Sequence, residues 1–229
     1  MRALRILLIT AVILGGLFVA ADRLLLNYAE SEAAERVKAR QGPSGTTEVS
    51  IAGFPFLTQV AGKELERVDV TVRGIEAGAN GRRVVVTEMS AALHDVRLGA
   101  DFSSATATTA TGTARISYAD LAAAADEDVT LAYGGNGKVK VTGSVGILGR
   151  TISRSVVSTV SLVDGDTIRV RADRVPGEGI PRLEDLIRGK TDFDRGISGL
   201  PQGMELEKVQ AEENGLVITV SGRDVPLAG

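Results

Sequence analysis

The chain has 229 residues, of which 44% are hydrophobic and only 3% aromatic, with no tryptophan. This length suits one substantial domain, and the scarcity of aromatic residues predicts an aliphatic core. Its 26 basic and 29 acidic residues give a net charge of −3, so it lacks the basic surplus typical of nucleic-acid binding. Because it has no cysteine and a single histidine, His94, disulfides, thiolate zinc sites, cysteine nucleophiles and multi-histidine metal sites are excluded.

An apolar segment, residues 6–21, follows Arg2 and Arg5 and is predicted to form an export or membrane helix. It would span about 24 Å, which is short for a membrane span and long for a signal-peptide core. Val19 and Ala21 place small residues at the −3 and −1 positions of a signal-peptidase cut after Ala21. Apolar positions that recur every three or four residues as far as Val37 instead favour an uncleaved anchor that continues as an amphipathic helix, and we favour this anchor.

The charges that flank the apolar segment predict its orientation. Arginine precedes the segment and an acidic stretch follows it, which places the N-terminus in the cytoplasm and the rest of the chain outside. We therefore expect a signal anchor or transmembrane segment at residues 1–24 and an extracytoplasmic domain at residues 25–229. The expected location is the cell membrane, with a single membrane pass, or the exterior if the signal is cleaved.

Four dipeptides between apolar-rich runs predict tight hairpin turns and hence a largely antiparallel sheet. They are Asn80-Gly81, Asn136-Gly137, Asp164-Gly165 and Asn214-Gly215. The Thr- and Ala-rich residues 103–113 are predicted to form a strand rather than a low-complexity linker, because threonine favours strands. Short helices are expected at residues 118–125, capped by Ser117, and at residues 181–188.

A compact apolar cluster lies between the first helix, which should end near Arg40, and the first hairpin. A short strand at residues 46–51 leads into it, and a short helix or turn at residues 58–63 follows it. From Leu65 onward, valines alternate with polar residues, which is typical of a half-buried strand. The candidate residues for binding an apolar ligand are Phe54, Phe56 and Leu57 of the cluster and Val68, Val70 and Val72 of the strand.

The sequence offers little for catalysis. No nucleophile elbow, phosphate loop or dinucleotide turn has the required spacing, and the acidic residues 126–128 lack the spaced oxygens of a calcium loop. His94 and Asp95 are adjacent, so on a strand they would point to opposite faces. We expect no catalytic residue, no metal and no cofactor, and therefore a protein that is not an enzyme.

The excess of aliphatic residues on long strands has two explanations, ordinary core packing or an apolar face that holds a lipid. Each methylene that a lipid buries contributes about 0.8 kcal/mol. Two further alternatives are an adaptor that recruits enzymes by its outer face and an enzyme for polyprenyl-linked sugars. The enzyme would need a carboxylate pair such as Glu88 and Asp95, roughly 5 to 9 Å apart.

Residues 51–59, with the sequence IAGFPFLTQ, are followed by Gly62-Lys63-Glu64-Leu65 and, near the C-terminus, by a hairpin that runs from Gly199-Leu200-Pro201 to Asn214-Gly215. Together with the N-terminal helix, these features resemble the LmeA family of actinobacterial phospholipid-binding proteins. The resemblance implies a membrane-tethered extracytoplasmic protein that binds phospholipid and supports lipoglycan biosynthesis in the cell envelope.

The resemblance also implies an α+β fold in which a highly curved antiparallel β-sheet wraps short helices around an apolar cavity, similar to tubular lipid-binding domains. No catalytic residue is carried over from the family. The expected partners are a phospholipid or polyprenyl lipid, the membrane itself and envelope glycosyltransferases, with no nucleic acid.

Overall fold

The computed structural model describes residues 2–41, 45–79, 82–123, 129–147, 150–175, 188, 192–196 and 200–227. Three helices and eleven strands lie in these residues. In chain order they are α1 (Arg2–Gln41), β1 (Thr46–Ala52), α2 (Phe56–Gly62), β2 (Glu64–Ala79), β3 (Arg82–Leu98), β4 (Ala105–Ile116), α3 (Tyr118–Ala123), β5 (Val129–Gly135), β6 (Lys138–Ile147), β7 (Arg150–Val163), β8 (Thr167–Ala172), β9 (Phe193–Gly196), β10 (Met204–Glu212) and β11 (Gly215–Pro226).

The first helix, α1, runs without interruption for 40 residues and ends one residue beyond the predicted Arg40. Its sequence contains Gly15-Gly16 but no proline until Pro43, which stops a helix because proline lacks an amide hydrogen and restricts the residue before it. The N-terminal half of α1 is exposed, and α1 is long and apolar enough to cross a membrane. The C-terminal half packs along the edge strand β1.

The strands form two antiparallel sheets. The six-stranded sheet has the order β1-β2-β3-β4-β11-β10, and the five-stranded sheet has the order β5-β6-β7-β8-β9. The predicted α+β class and antiparallel pairing are confirmed, and the sheets are not closed into a barrel. The resemblance implied one curved sheet, and the described strands are divided between two.

Three of the four predicted turns lie in the described residues, and each joins two paired strands. At Asn136-Gly137 and Asp164-Gly165 both residues have positive φ angles between 52° and 74°, the left-handed conformation that asparagine, aspartate and glycine tolerate best. Asn214-Gly215 joins β10 to β11. Asn80-Gly81 falls outside the described residues, although β2 and β3 on either side of it are paired.

Other local predictions have similar outcomes. The Thr- and Ala-rich segment forms β4, a central strand between β3 and β11, rather than a linker. The side chain of Ser117 caps α3, where its Oγ accepts a hydrogen bond from the Asp120 amide at 3.1 Å. The acidic residues 126–128 and nearly all of the helix expected at residues 181–188 lie outside the described residues.

Two hydrophobic clusters form the core. The first cluster joins the two sheets at the β10–β11 turn and contains Tyr118, Val139, Val141, Val156, Ile168, Ala172, Val175, Val209, Ala211 and Leu216. The Tyr118 hydroxyl donates a hydrogen bond to the Glu212 carbonyl at 2.7 Å, which fixes α3 to that turn. The second cluster lies at the opposite end of the six-stranded sheet, beneath α1 and α2, and contains Leu26, Ile51, Phe56, Leu65, Val96 and Ala107.

Candidate functional site

One face of the six-stranded sheet carries an apolar strip across four neighbouring strands. Strand register places Val70 opposite Ala91, Ala91 opposite Gly112 and Gly112 opposite Val220, so these positions share a face. Parallel rows lie two residues away on either side. The apolar strip, named so hereafter, consists of Val68, Val70, Val72, Met89, Ala91, Leu93, Ala110, Gly112, Ala114, Ile218 and Val220.

The middle row of the apolar strip is only partly covered by the described part of the chain. Val70, Ala91 and Val220 are half-buried and belong to neither core cluster, and Met89 in the next row is 37% exposed. Gly112 is buried, and a Cβ atom there would lie only 2.9 Å from a methyl group of Val220, so Val220 fills the space beside it. The accessible apolar surface of the strip therefore comes from Val70, Ala91, Val220 and Met89.

The opposite face of the same strands is polar. Asp69, Thr71, Ser90, Thr111 and Thr113 alternate with members of the apolar strip, and the Ser90 and Thr113 hydroxyls are 2.7 Å apart. Side chains of successive residues in a strand point to opposite faces, so one face is apolar while the other meets water. The apolar strip is therefore the face of this sheet whose chemistry suits contact with an apolar ligand.

The structure separates the six candidate lipid-binding residues into different environments. Val68, Val70 and Val72 share the apolar strip, where Val72 is 2% exposed and the other two are half-buried. Phe56 is buried in the second cluster, Leu57 is half-buried at the start of α2, and Phe54 is 58% exposed. The three strand valines therefore lie together on one apolar face, and Val68 also packs against the cluster that contains Phe56.

The sequence alone did not indicate that β3, β4 and β11 complete the apolar strip. Ala91, Gly112 and Val220 lie on three strands, and β4 and β11 are far apart in the chain. Their small or branched side chains carry no signal individually, since only the pairing of the strands brings them into one row. The Thr- and Ala-rich composition around Gly112 was the one available indication of an unusual strand.

Two carboxylates of α1 fix this helix to the sheet end that carries α2. The buried Asp22 accepts a hydrogen bond at Oδ1 from the Leu57 amide at 2.8 Å, and Glu30 accepts one from the Ile51 amide at 2.8 Å. Pro55, which precedes α2, has no side-chain acceptor, so Asp22 supplies from another helix the capping group that α2 lacks. Glu30 likewise satisfies a donor on the edge strand β1.

Next to Asp22, Arg23 links the helix to the exposed phenylalanine. Its guanidinium lies 3.4 Å from Asp22 Oδ2 and 4.9 Å from the ring centre of Phe54. This distance permits a cation–π interaction. The end of the apolar segment, the start of α2 and Phe54 are therefore held together at one place.

The described residues contain no group of three or more histidine, aspartate or glutamate side chains suited to hold a metal ion. Glu88 and Asp95, the carboxylate pair considered for an enzyme, lie seven positions apart on β3 and hence about 23 Å apart. Glu88 instead accepts a hydrogen bond from Arg73 at 2.9 Å. This pair therefore does not have the separation that glycoside hydrolysis requires.

Among the described residues, the charged groups with shifted pKa values lie in ion pairs and turns away from the apolar strip, while burial raises the pKa of Tyr118 in the first cluster. Hydrogen bonds from Lys138 and Thr159 lower the pKa of Asp173, and a hydrogen bond from Arg169 lowers the pKa of Asp194. Arg169 binds both carboxylate oxygens of Asp194, at 3.0 and 2.8 Å. These groups stabilise neighbouring strands of the five-stranded sheet and its flanking turn.

Comparison with known families identifies the chain. The model of the LmeA-like phospholipid-binding family matches residues 20–221, which include Asp22, α2 and every residue of the apolar strip. No curated protein and no solved structure matches the chain. Because the matched region covers most of its length, the chain belongs to the LmeA-like phospholipid-binding family.

Proposed function

We propose that this protein is a membrane-anchored lipid carrier, and that it holds the acyl part of a phospholipid on the apolar strip without catalysing a reaction. Membership of a phospholipid-binding family supports lipid as the ligand. The single observation that carries the proposal is the middle row of the strip, in which Val70, Ala91 and Val220 are half-buried beside the buried Gly112.

The dimensions and chemistry of the apolar strip suit a hydrocarbon chain. Its three rows extend about 13 Å along the strands and its four strands about 14 Å across them. Each methylene removed from water on this surface contributes about 0.8 kcal/mol. No charged side chain belongs to the strip, so an acyl chain would displace only weakly held water.

A matched pair of substitutions on adjacent residues tests the proposal. Ala91→Gln places an amide on the apolar strip, whereas Ala92→Gln places the same group on the polar face one residue away. An amide covered by an acyl chain without a hydrogen-bond partner costs about 1 to 3 kcal/mol, which weakens binding about 5- to 150-fold. Native mass spectrometry of the exported full chain, purified in mild detergent, measures the fraction that retains lipid.

We expect Ala91→Gln to lose copurifying lipid and Ala92→Gln to keep it. Equal lipid retention by both variants, with circular dichroism unchanged, would remove the apolar strip as the binding surface. A folded wild-type chain that carries no lipid and takes up none would contradict the carrier function itself. That result would favour the adaptor alternative.

We propose further that the apolar segment of α1 is retained as an anchor, with the domain outside the cytoplasm. The continuity of α1 across Ala21 and the hydrogen bond from α2 to Asp22 support retention, because the apolar segment and the part of the helix that packs on the domain form one element. The intact mass of the purified chain tests cleavage. Single cysteines test the orientation, since the chain itself has no cysteine. Ala3→Cys lies before the apolar segment and Thr111→Cys lies on the exposed face of the domain. In intact cells, only the thiol of Thr111→Cys should react with a membrane-impermeant reagent.

The biological role that we propose is support of lipoglycan biosynthesis in the cell envelope, by delivery of a phospholipid or polyprenyl lipid to envelope glycosyltransferases. A strain that lacks the gene should make altered lipoglycan, visible on gels of extracted envelope. The Ala92→Gln variant should restore the normal product and the Ala91→Gln variant should not. Restoration by both variants would disconnect the role from lipid carried on the apolar strip.

A further inference from the structure

We infer that the end of the six-stranded sheet that carries α2 is a membrane-docking surface, at which Phe54 and Phe102 enter the headgroup layer of the bilayer that holds α1. This inference rests on the proposed retention of the anchor. It goes beyond lipid carriage, because it assigns a second, separate lipid contact to the outer surface of the domain.

The direction of α1 sets the position of this surface. Asp22 contacts the start of α2 and Glu30 contacts Ile51 of β1, so α1 runs antiparallel to β1. Residues 2–21 therefore continue past the α2 end of the sheet, over a length of about 30 Å. Their side chains are exposed in the structure, as expected for a segment that lipid surrounds.

The depth of Phe54 follows from the same contact. Asp22 comes directly after the last residue of the apolar segment, and its carboxylate is 2.8 Å from the Leu57 amide. The start of α2 is thus held where the hydrocarbon layer ends, and Phe54 precedes it by two residues. Leu24 and Leu25, 71% and 46% exposed, extend the apolar surface at this level.

The second phenylalanine lies at the other end of α2. Lys63, which follows α2, accepts a hydrogen bond at its carbonyl from the Leu98 amide at 2.9 Å and so holds the β3–β4 turn against this helix. Phe102 projects from that turn and is 51% exposed, with the Lys63 ammonium 5.8 Å from its ring centre. Among the residues with described side chains, Phe54 and Phe102 are the exposed phenylalanines outside α1.

The charges around these rings indicate how the surface binds. Arg23 and Lys63 each lie over one ring, but Asp101 and Glu64 lie at the same end of the sheet. The mixture of charges gives no net attraction to anionic lipid, whereas aromatic rings flanked by cations suit the boundary between hydrocarbon and headgroups. Docking should therefore depend on the rings and only weakly on lipid charge.

The absence of tryptophan from the chain permits a direct test in the full-length protein, reconstituted into phosphatidylcholine nanodiscs. Phe54→Trp and Phe102→Trp each introduce a single fluorophore at the proposed surface. Tyr133→Trp is the matched control, because Tyr133 is also an exposed aromatic residue. It lies in the five-stranded sheet, which packs against the end of the six-stranded sheet that is farthest from α2. Lipids brominated near the headgroup end of their acyl chains quench only the tryptophans that reach them.

We expect both phenylalanine replacements to lose most of their fluorescence in brominated nanodiscs and the control to keep it. The loss should be the same when phosphatidylglycerol replaces part of the phosphatidylcholine. It should also persist in the Ala91→Gln background, which separates quenching by the bilayer from quenching by a lipid carried on the apolar strip.

Unquenched fluorescence at Phe54→Trp and Phe102→Trp, in protein whose mass shows a retained anchor, would overturn the docking surface and leave the lipid carrier intact. Unquenched fluorescence accompanied by dimers in the nanodisc would assign the surface to a second copy of the chain. A mass that corresponds to cleavage after Ala21 would refute the proposed anchor and, with it, this inference.

Discussion

The bond between Asp22 and the Leu57 amide predicts that a residue of the first helix controls the local stability of the second. Asp22→Ala removes the acceptor, and the Leu57 amide, part-buried at the start of α2, has no side-chain cap in Pro55 to replace it. A buried donor that loses its partner costs about 1 to 3 kcal/mol. If α2 opens locally, its amides should exchange with deuterium about 5- to 150-fold faster.

Hydrogen–deuterium exchange of the full chain, followed by mass spectrometry of the peptides that contain α2 and β1, measures this effect. Asp22→Asn keeps a carbonyl oxygen at the same position, and we expect it to retain most of the protection. Glu30→Ala provides the reciprocal control, because it removes the acceptor of the Ile51 amide and should speed exchange in β1 more than in α2. Two results would refute the assignment of one carboxylate to one amide. The first is an α2 exchange rate that Asp22→Ala leaves unchanged. The second is that each of the two alanine variants speeds exchange equally in the α2 peptide and the β1 peptide.

Three further predictions concern the sheets. Because Lys138 holds the pKa of Asp173 below its ordinary value, this pair stabilises the folded state above about pH 4 and loses its effect as the pH falls through the lowered pKa. Asp173→Asn should therefore reduce the fall in the free energy of unfolding between pH 7 and pH 2, measured by urea unfolding. Gly112→Ala should lower the Tm, since overpacking costs about 1 to 3 kcal/mol, while Gly143→Ala, which meets no atom within 4 Å, should leave the Tm unchanged or raise it. Tyr118→Phe should reduce the free energy of unfolding by about 0.5 to 1.5 kcal/mol in urea titrations, because one buried hydrogen bond is lost.

Local patterns in the sequence predicted local structure well. The alternation of Val68, Val70 and Val72 predicted that they share one face, and the strand register confirms it. The three described hairpin turns and the Ser117 cap were equally readable, because each depends on a few neighbouring residues whose backbone preferences are strong.

The long-range features were not predictable from these patterns. Nothing near Asp22 indicates that its partner is an amide 35 residues away, and nothing near Gly112 indicates that β11 is its neighbour. Phe54 and Phe56 formed one cluster in the sequence, yet α2 begins at Phe56 and turns it into the core while Phe54 stays outside. Strand pairing and helix docking depend on the fit of distant surfaces, which a single sequence does not display.

The two lipid contacts that we propose lie along one axis of the six-stranded sheet. The row of the apolar strip that contains Val68 and Leu93 is the nearest to α2, and both side chains pack against the second cluster. Phe56 of α2 belongs to that cluster, so it lies between the apolar strip and the proposed membrane-docking surface. We infer that a lipid moving between them passes α2, whose start Asp22 holds in place. We therefore expect Asp22→Ala, which loosens α2, to speed lipid exchange between the protein and vesicles without changing the amount of lipid bound at equilibrium.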